Sequence, residues 1–272
     1  MALPPIVEPV AALSDAERAR TARHAALAGL GPTGQRRIAA ARVGVVGAGG
    51  LGSSALLSLA AAGIGEIAVI DDDVVDVSNL HRQLIHGVPD VGRRKVDSAA
   101  ESIAAVSPET RVVAHPIRLD ESNARALLDG CDVVLDGSDT FATRSVVAAA
   151  CEALGIPLVW GTVQEWHGQV TVFWSAPPEG VEPVVLTDLH PPETVGEPPA
   201  CSMVGVLGAL CVQVGALMAA EAIKLVAGIG EPLLGRVLVI DALRSRQREV
   251  PIRPSSHARG ARREDGAAES RA

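Results

Sequence analysis

The chain has 272 residues, enough for one large domain or two small ones, and its 48% apolar content is ample for a buried core. Aromatic residues make up only 2%, with no tyrosine, so Ala, Val, Leu and Gly must fill the interior; this favours close helix–sheet packing over an aromatic-rich β-sandwich. A formal net charge of −8 argues against a phosphate-tracking nucleic-acid surface, which needs a clustered excess of Lys and Arg.

The N-terminus lacks a basic start and carries Pro4, Pro5 and Pro9, so no secretory signal is expected. No run of eighteen apolar residues free of charge occurs, and no membrane span is expected. The four cysteines, Cys131, Cys151, Cys201 and Cys211, show no paired spacing, which fits a reduced, cytoplasmic setting. Residues 1–40 read as a helical arm. Ser14 offers a cap, Asp15 and Glu17 fall in the first turn, and Arg18, Arg20, Arg23 and His24 follow. Gly29, Gly31, Pro32 and Gly34 then interrupt the helical pattern.

From Arg42 the pattern becomes α/β. Val43-Gly44-Val45-Val46 is an apolar strand that runs into Gly47-Ala48-Gly49-Gly50-Leu51-Gly52, and an Ala/Leu-rich helix extends to Ala62. Residues 66–71 form the next strand, 95–106 a helix and 111–114 a strand. Another strand, 132–136, leads into a helix through Cys151, and 157–160 is strand again. Continuous apolar runs alternating with helices predict a parallel sheet covered on both faces. Residues 169–174 predict an added strand, and 175–199 a Pro/Glu-rich loop long enough to be functional. The apolar stretch 203–220 predicts a buried helix, 236–241 a closing strand, and the tail from Pro254 no fixed structure.

Gly47, Gly49 and Gly52 form G-x-G-x-x-G between a strand and a helix. Such a turn lets backbone approach a phosphate and presents the helix N-terminal amides to it. Asp71 ends the next strand, where a carboxylate can take ribose hydroxyls. These residues predict a nucleotide site and leave NAD, FAD and ATP open. The following segment narrows the choice. Asn79, Arg82, Gln83 and Lys95 gather cations and amides beyond the second strand. A hydride-transfer site needs an apolar slot, whereas phosphoryl or nucleotidyl transfer needs positive groups where charge collects.

At this point the sequence resembles the MoeB/ThiF/HesA adenylyltransferases, bacterial relatives of ubiquitin-activating enzymes. The resemblance rests on the Gly-Ala-Gly-Gly-Leu-Gly turn, on Ser78-Asn79-Leu80-His81-Arg82-Gln83 and on Val91-Gly92 to Lys95. Arg20-Thr21-Ala22-Arg23-His24 is similar to the family's N-terminal arm, with Thr21 where the family has Tyr. Asp136-Gly137-Ser138-Asp139-Thr140-Phe141-Ala142-Thr143-Arg144 is similar to its Asp-x-x-Asp-Asn segment, with Thr140 in place of Asn. Gly161, Gly168-Gln169-Val170, Glu221-Ala222-Ile223-Lys224 and Asp241-Ala242 extend the match over residues 13–251.

The resemblance implies a Rossmann-like mixed α/β sheet, a parallel nucleotide-binding half plus antiparallel strands, flanked by helices. It implies an adenylation domain over residues 41–252 and ATP-dependent adenylation of the C-terminal glycine carboxylate of a MoaD/ThiS/CysO-like sulfur carrier. Gly47, Gly49 and Gly50 would hold the nucleotide and Asp71 the ribose. Ser78, Asn79, Arg82, Gln83 and Lys95 would surround the phosphates. Asp139, beside Thr140, would hold Mg²⁺, although an Asp at a strand end can also serve only as a helix cap. Arg23 would reach the triphosphate of the partner subunit in a homodimer. Cys201 matches a loop cysteine that some members use to bond the carrier covalently. Cys131, Cys151 and Cys211 read as packing residues.

Many members hold zinc through two C-x-x-C pairs; none occurs here, so no zinc is expected. No rhodanese-like domain is expected after Pro254, and the sulfur donor is expected to be separate. Two further readings stay open: adenylation of a tRNA or small-molecule carboxylate, as in the related tRNA threonylcarbamoyladenosine dehydratases, and a NAD-binding oxidoreductase or binding-only relative. The acidic charge and the N-terminal arm weigh against the first, and Arg82, Lys95 and Asp139 against the second.

Overall fold

The apolar runs of the sequence become the middle of one sheet. The computed structural model describes residues 3–191 and 204–253. Eight strands take the order β3-β2-β1-β4-β5-β6-β7-β8. The first half is β1 (Arg42–Val46), β2 (Glu66–Ile70), β3 (Arg111–His115), β4 (Val133–Asp136) and β5 (Leu158–Gln164). These five are joined in parallel, with Val46 opposite both Ile70 and Asp136. The second half, β6 (His167–Phe173), β7 (Arg236–Asp241) and β8 (Arg246–Pro251), is antiparallel. The sheet is therefore mixed, a parallel half continued by three antiparallel strands.

Helices cover both faces. Following the arm helices α1 (Asp15–Arg20), α2 (Ala22–Ala25) and α3 (Gly31–Ala40), the crossovers carry α4 (Gly50–Ala62), α5 (Lys95–Val106), α6 (Ala124–Leu128) and α7 (Phe141–Leu154). A short α8 (Leu186–Leu189) precedes the long α9 (Gly208–Ala227). β1, β2 and β4 bury nearly every residue, as strands covered on two faces must. Among the described residues α9 is the one helix long and apolar enough to cross a membrane. It lies instead against α4, β5 and β6, with Val214, Met218, Ala222 and Leu225 buried. The Ser54 hydroxyl on α4 lies between the Leu51 carbonyl at 3.1 Å and the Cys211 carbonyl of α9 at 3.3 Å.

Besides α8, which stands inside residues 175–199 read as a loop, two elements differ from the sequence reading. Gly31, Pro32 and Gly34, read as interruptions, lie inside α3: proline falls in its first turn, where its missing N–H has no intrahelical role. Leu3, Val7, Leu30 and Ile38 of the arm join the main core, and the Ile6 N–H pairs with the Leu225 carbonyl of α9. β8, six exposed residues at the sheet edge, carries no apolar pattern to announce it. Cys201, the end of the long loop (192–199) and the tail from Pro254 lie outside the described residues.

Candidate active site

The C-terminal ends of β1, β2 and β4 open onto one cavity of about 520 Å³. Its first wall is the glycine turn. Gly47 takes φ +89°, a left-handed conformation that a side chain would strain, and its N–H pairs with the Ile70 carbonyl at 2.8 Å. A Cβ on Gly52 would stand 1.8 Å from the Gly47 carbonyl oxygen, so the turn closes only with glycine there. Gly49 caps α4 without a capping side chain. The first amides of a helix lack intrahelical acceptors, which suits this end to an anion.

Asp71 follows β2 beside the turn. Its Oδ2 accepts from the Ala48 N–H at 2.7 Å and its Oδ1 from the Asp73 N–H at 2.8 Å. Each carboxylate oxygen keeps a lone pair for a further donor. Burial pushes the Asp71 pKa up, with Lys95 pulling the other way.

The loop after β2 folds back on itself, because Val74 bridges to Arg94 just before α5. Within it, Asp76 caps a short turn (Val77–Asn79). The Asn79 Oδ1 accepts from the Asp76 N–H at 3.3 Å. Arg82 Nη1 donates to the Ser78 carbonyl at 3.1 Å and lies 2.9 Å from His81 Nε2. The Gln83 side chain is buried, and its Oε1 has no partner among the described residues. Lys95, the first residue of α5, reaches Asp73 with its ammonium 2.7 Å from Oδ2.

The third wall follows β4. Asp136 is fully buried; its Oδ1 accepts from the Ser138 N–H at 2.9 Å and the Ser138 hydroxyl at 2.6 Å, and burial raises its pKa. Arg144 donates to the Ser138 carbonyl at 2.8 Å, with its guanidinium 5.1 Å from the Trp160 ring centre. Asp139 is exposed to the cavity, and Thr140 is the cap of α7, its hydroxyl accepting from the Thr143 N–H at 3.2 Å. The capping role considered for Asp139 thus belongs to its neighbour.

Gly47, Gly49, Asp71, Asn79, Arg82, Gln83, Lys95, Asp139 and Thr140 therefore meet on one cavity although they come from three separate segments. Gly50 and Ser78 are not on its wall. A Cβ on Gly50 would meet the Cys211 sulfur at 3.0 Å, so a side chain there would collide with α9. The Ser78 hydroxyl donates to Asp76 Oδ1 at 2.6 Å and shapes the turn. Arg23 is exposed on α2 and is no part of its own chain's cavity wall. The sequence reading missed Ile117, Arg118 and Leu119, which line the cavity from the loop after β3. The rule that ligands sit beyond the C-terminal strand ends, applied to β3 as to β1 and β2, finds that loop.

A divalent cation needs hard oxygen donors. Asp71, Asp72 and Asp73 bring carboxylate oxygens within 4.8 Å of one another. However, Asp71 already takes two backbone amides and Asp73 is paired with Lys95. That leaves the exposed carboxylates of Asp72 and Asp139 on the cavity wall as hard oxygen donors.

Residues 21–261 match the ThiF family. The chain belongs to the ThiF family. Over 252 residues it is 52% identical to a probable adenylyltransferase/sulfurtransferase MoeZ of Mycobacterium tuberculosis, covering 92% of this chain and 64% of that protein. Over 225 residues it is 44% identical to the sulfur carrier protein adenylyltransferase of Thermus thermophilus, covering 82% of this chain and 83% of that one. This ThiF-family chain thus spans just under two thirds of the length of the MoeZ relative. The crystal structure of Escherichia coli MccB with MccA-N7isoASN superposes with a TM-score of 0.75 at 20% identity, over 90% of this chain and 74% of that one. That likeness is one of fold, and it agrees with the mixed sheet described above.

Proposed function

We propose that this ThiF-family chain is an adenylyltransferase that uses ATP to activate the C-terminal glycine carboxylate of a small ubiquitin-like sulfur-carrier protein. The convergence of Arg82, Gln83 and Lys95 on the cavity that holds the glycine turn and Asp71 carries this reading. The names of the relatives support the class of reaction and of substrate.

The chemistry follows from the walls. The glycine turn and the start of α4 receive the phosphates, and Asp71 accepts from the ribose hydroxyls. A carboxylate oxygen of the carrier attacks the α-phosphorus. The bond from that phosphorus to the oxygen bridging to the β-phosphate breaks, and pyrophosphate leaves an acyl-adenylate behind. Negative charge grows on the departing pyrophosphate, and Arg82 and Lys95 are placed to neutralise it. Asp139 is assigned to Mg²⁺, which would spread phosphate charge in the same way. Arg23, exposed on α2, is assigned to the triphosphate of a second copy in a homodimer. Cys201 is assigned to a thioester with the carrier: its thiolate attacks the acyl-adenylate carbonyl and AMP leaves, and sulfide-level sulfur from a separate donor then displaces the thiolate to give the thiocarboxylate. A cytoplasmic, reducing compartment suits free thiols.

Pyrophosphate exchange into ATP tests the proposal. Exchange is expected only when a carrier ending in Gly-Gly is supplied, and Arg82→Ala should lower it ~10²–10³-fold. Near-native exchange by that variant would remove Arg82 from its role.

A further inference from the structure

Ala48, inside the glycine turn, is held at both of its backbone polar atoms. Its N–H donates to Asp71. Its carbonyl receives His86 Nε2 at 3.1 Å, with the Ser53 hydroxyl farther off at 3.3 Å. His86 is 6% exposed, and its Nδ1 lies 2.8 Å from the Ser98 hydroxyl. A carbonyl oxygen can only accept, so Nε2 carries the proton. In the neutral ring Nδ1 is then an acceptor, and the Ser98 hydroxyl, which also faces the Asp90 carboxylate, is its donor in that tautomer. Burial favours that neutral ring and lowers its pKa; Lys95 adds to this, and the Ala48 carbonyl, Asp90 and Asp71 oppose it.

These contacts join the three pieces that face the phosphates. Ala48 belongs to the glycine turn. His86 follows Arg82 and Gln83 on the same loop, and Ser98 stands one helical turn beyond Lys95 on α5. The imidazole is thus a rigid spacer from the turn to the loop and the helix that carry the cations, and it is absent from the cavity wall itself.

We infer that His86 is a positioning residue that sets the glycine turn, the Arg82–Gln83 loop and Lys95 in register for a single triphosphate before the nucleotide arrives. The inference rests on the ATP reading above. Removing the Nε2–H bond leaves the Ala48 carbonyl to the longer Ser53 contact and lets the turn drift from the cations, so nucleotide affinity falls.

The test is calorimetric titration of the full chain with Mg-ATP for the wild type, His86→Gln, His86→Asn and His86→Ala, with a melting curve for each. A glutamine amide nitrogen reaches the place of Nε2, whereas an asparagine nitrogen reaches that of Nδ1. His86→Gln should bind ATP within about twofold of wild type, and His86→Asn and His86→Ala about five- to tenfold more weakly. In carrier-dependent exchange the loss should fall on KM for ATP more than on kcat. Wild-type affinity in folded His86→Asn, or a His86→Gln as weak as His86→Ala, would overturn the inference. Should the Asn and Ala variants not fold, ¹⁵N-histidine spectra of the wild type decide. The Nε2–H tautomer supports the inference, and an Nδ1–H tautomer or an imidazolium at neutral pH defeats it. A wild type that binds no ATP would contradict the adenylation reading instead.

Discussion

The Lys95 ammonium and the Asp73 carboxylate form an ion pair of 2.7 Å in which the lysine side chain is 7% exposed and the aspartate 67%. The cation is fixed in the protein, and its counter-ion stands in solvent where a phosphate could replace it. Lys95→Ala should cost ~10²–10³ in the rate of pyrophosphate exchange. Asp73→Asn should act in the opposite direction. It removes the anion competing for Lys95, and KM for ATP should fall by about two- to fivefold, the range of an ion pair screened by solvent at its exposed aspartate. Steady-state exchange kinetics at varied ATP check both.

Asp139 and Thr140 are neighbours with separable duties. Thr140 caps α7, so Thr140→Ala should lower unfolding stability by about 1 kcal/mol. Asp139 caps nothing and is exposed, so Asp139→Ala should change stability by no more than about 0.5 kcal/mol while Mg²⁺-dependent exchange is lost. Urea unfolding beside an exchange assay at varied Mg²⁺ separates them. Loss of stability in Asp139→Ala would return the residue to a structural role.

Gly52 tests the turn. With the Gly47 carbonyl oxygen 1.8 Å from its would-be Cβ, Gly52→Ala must push the turn or α4 aside. The expected cost is about 1–3 kcal/mol of stability together with loss of ATP binding. Denaturant unfolding and nucleotide titration measure the two.

The ease of reading this molecule follows from where its signals lie. β1, the glycine turn and Asp71 stand out because an apolar run, glycines and a carboxylate fall within one short stretch, and the structure sets them at one strand-end cluster. Asn79, Arg82, Gln83 and Lys95 are legible as a group of phosphate-suited side chains, and Val74–Arg94 bridging explains how that long loop keeps them near the turn. The Arg118 loop is not legible, since nothing in its sequence distinguishes a cavity wall from a surface turn. Nor is His86, whose role depends on Ala48 and Ser98 meeting it from distant segments. β8 escapes because an exposed edge strand needs no apolar alternation, and α3 because its proline and glycines gather at its start.

The cysteines carry a further expectation. Burial pushes the Cys131 thiol up to about 11 and raises Cys151 well beyond the usual thiol range, so both should resist alkylation of the native protein at pH 8. Metal analysis should find no stoichiometric zinc, and chelation should stop exchange by removing Mg²⁺ while leaving the melting temperature unchanged. Cys201→Ala should keep adenylation and lose sulfur delivery. Unchanged delivery would exclude the covalent role.

Carrier-dependent exchange of radiolabelled pyrophosphate into ATP bears most directly on the central claim. Exchange should need both ATP and a carrier with a free C-terminal Gly-Gly carboxylate, and it should vanish when that carboxylate is amidated. Exchange that is indifferent to the carrier's terminus, or none with any such carrier while a NAD-linked activity is present, would contradict it.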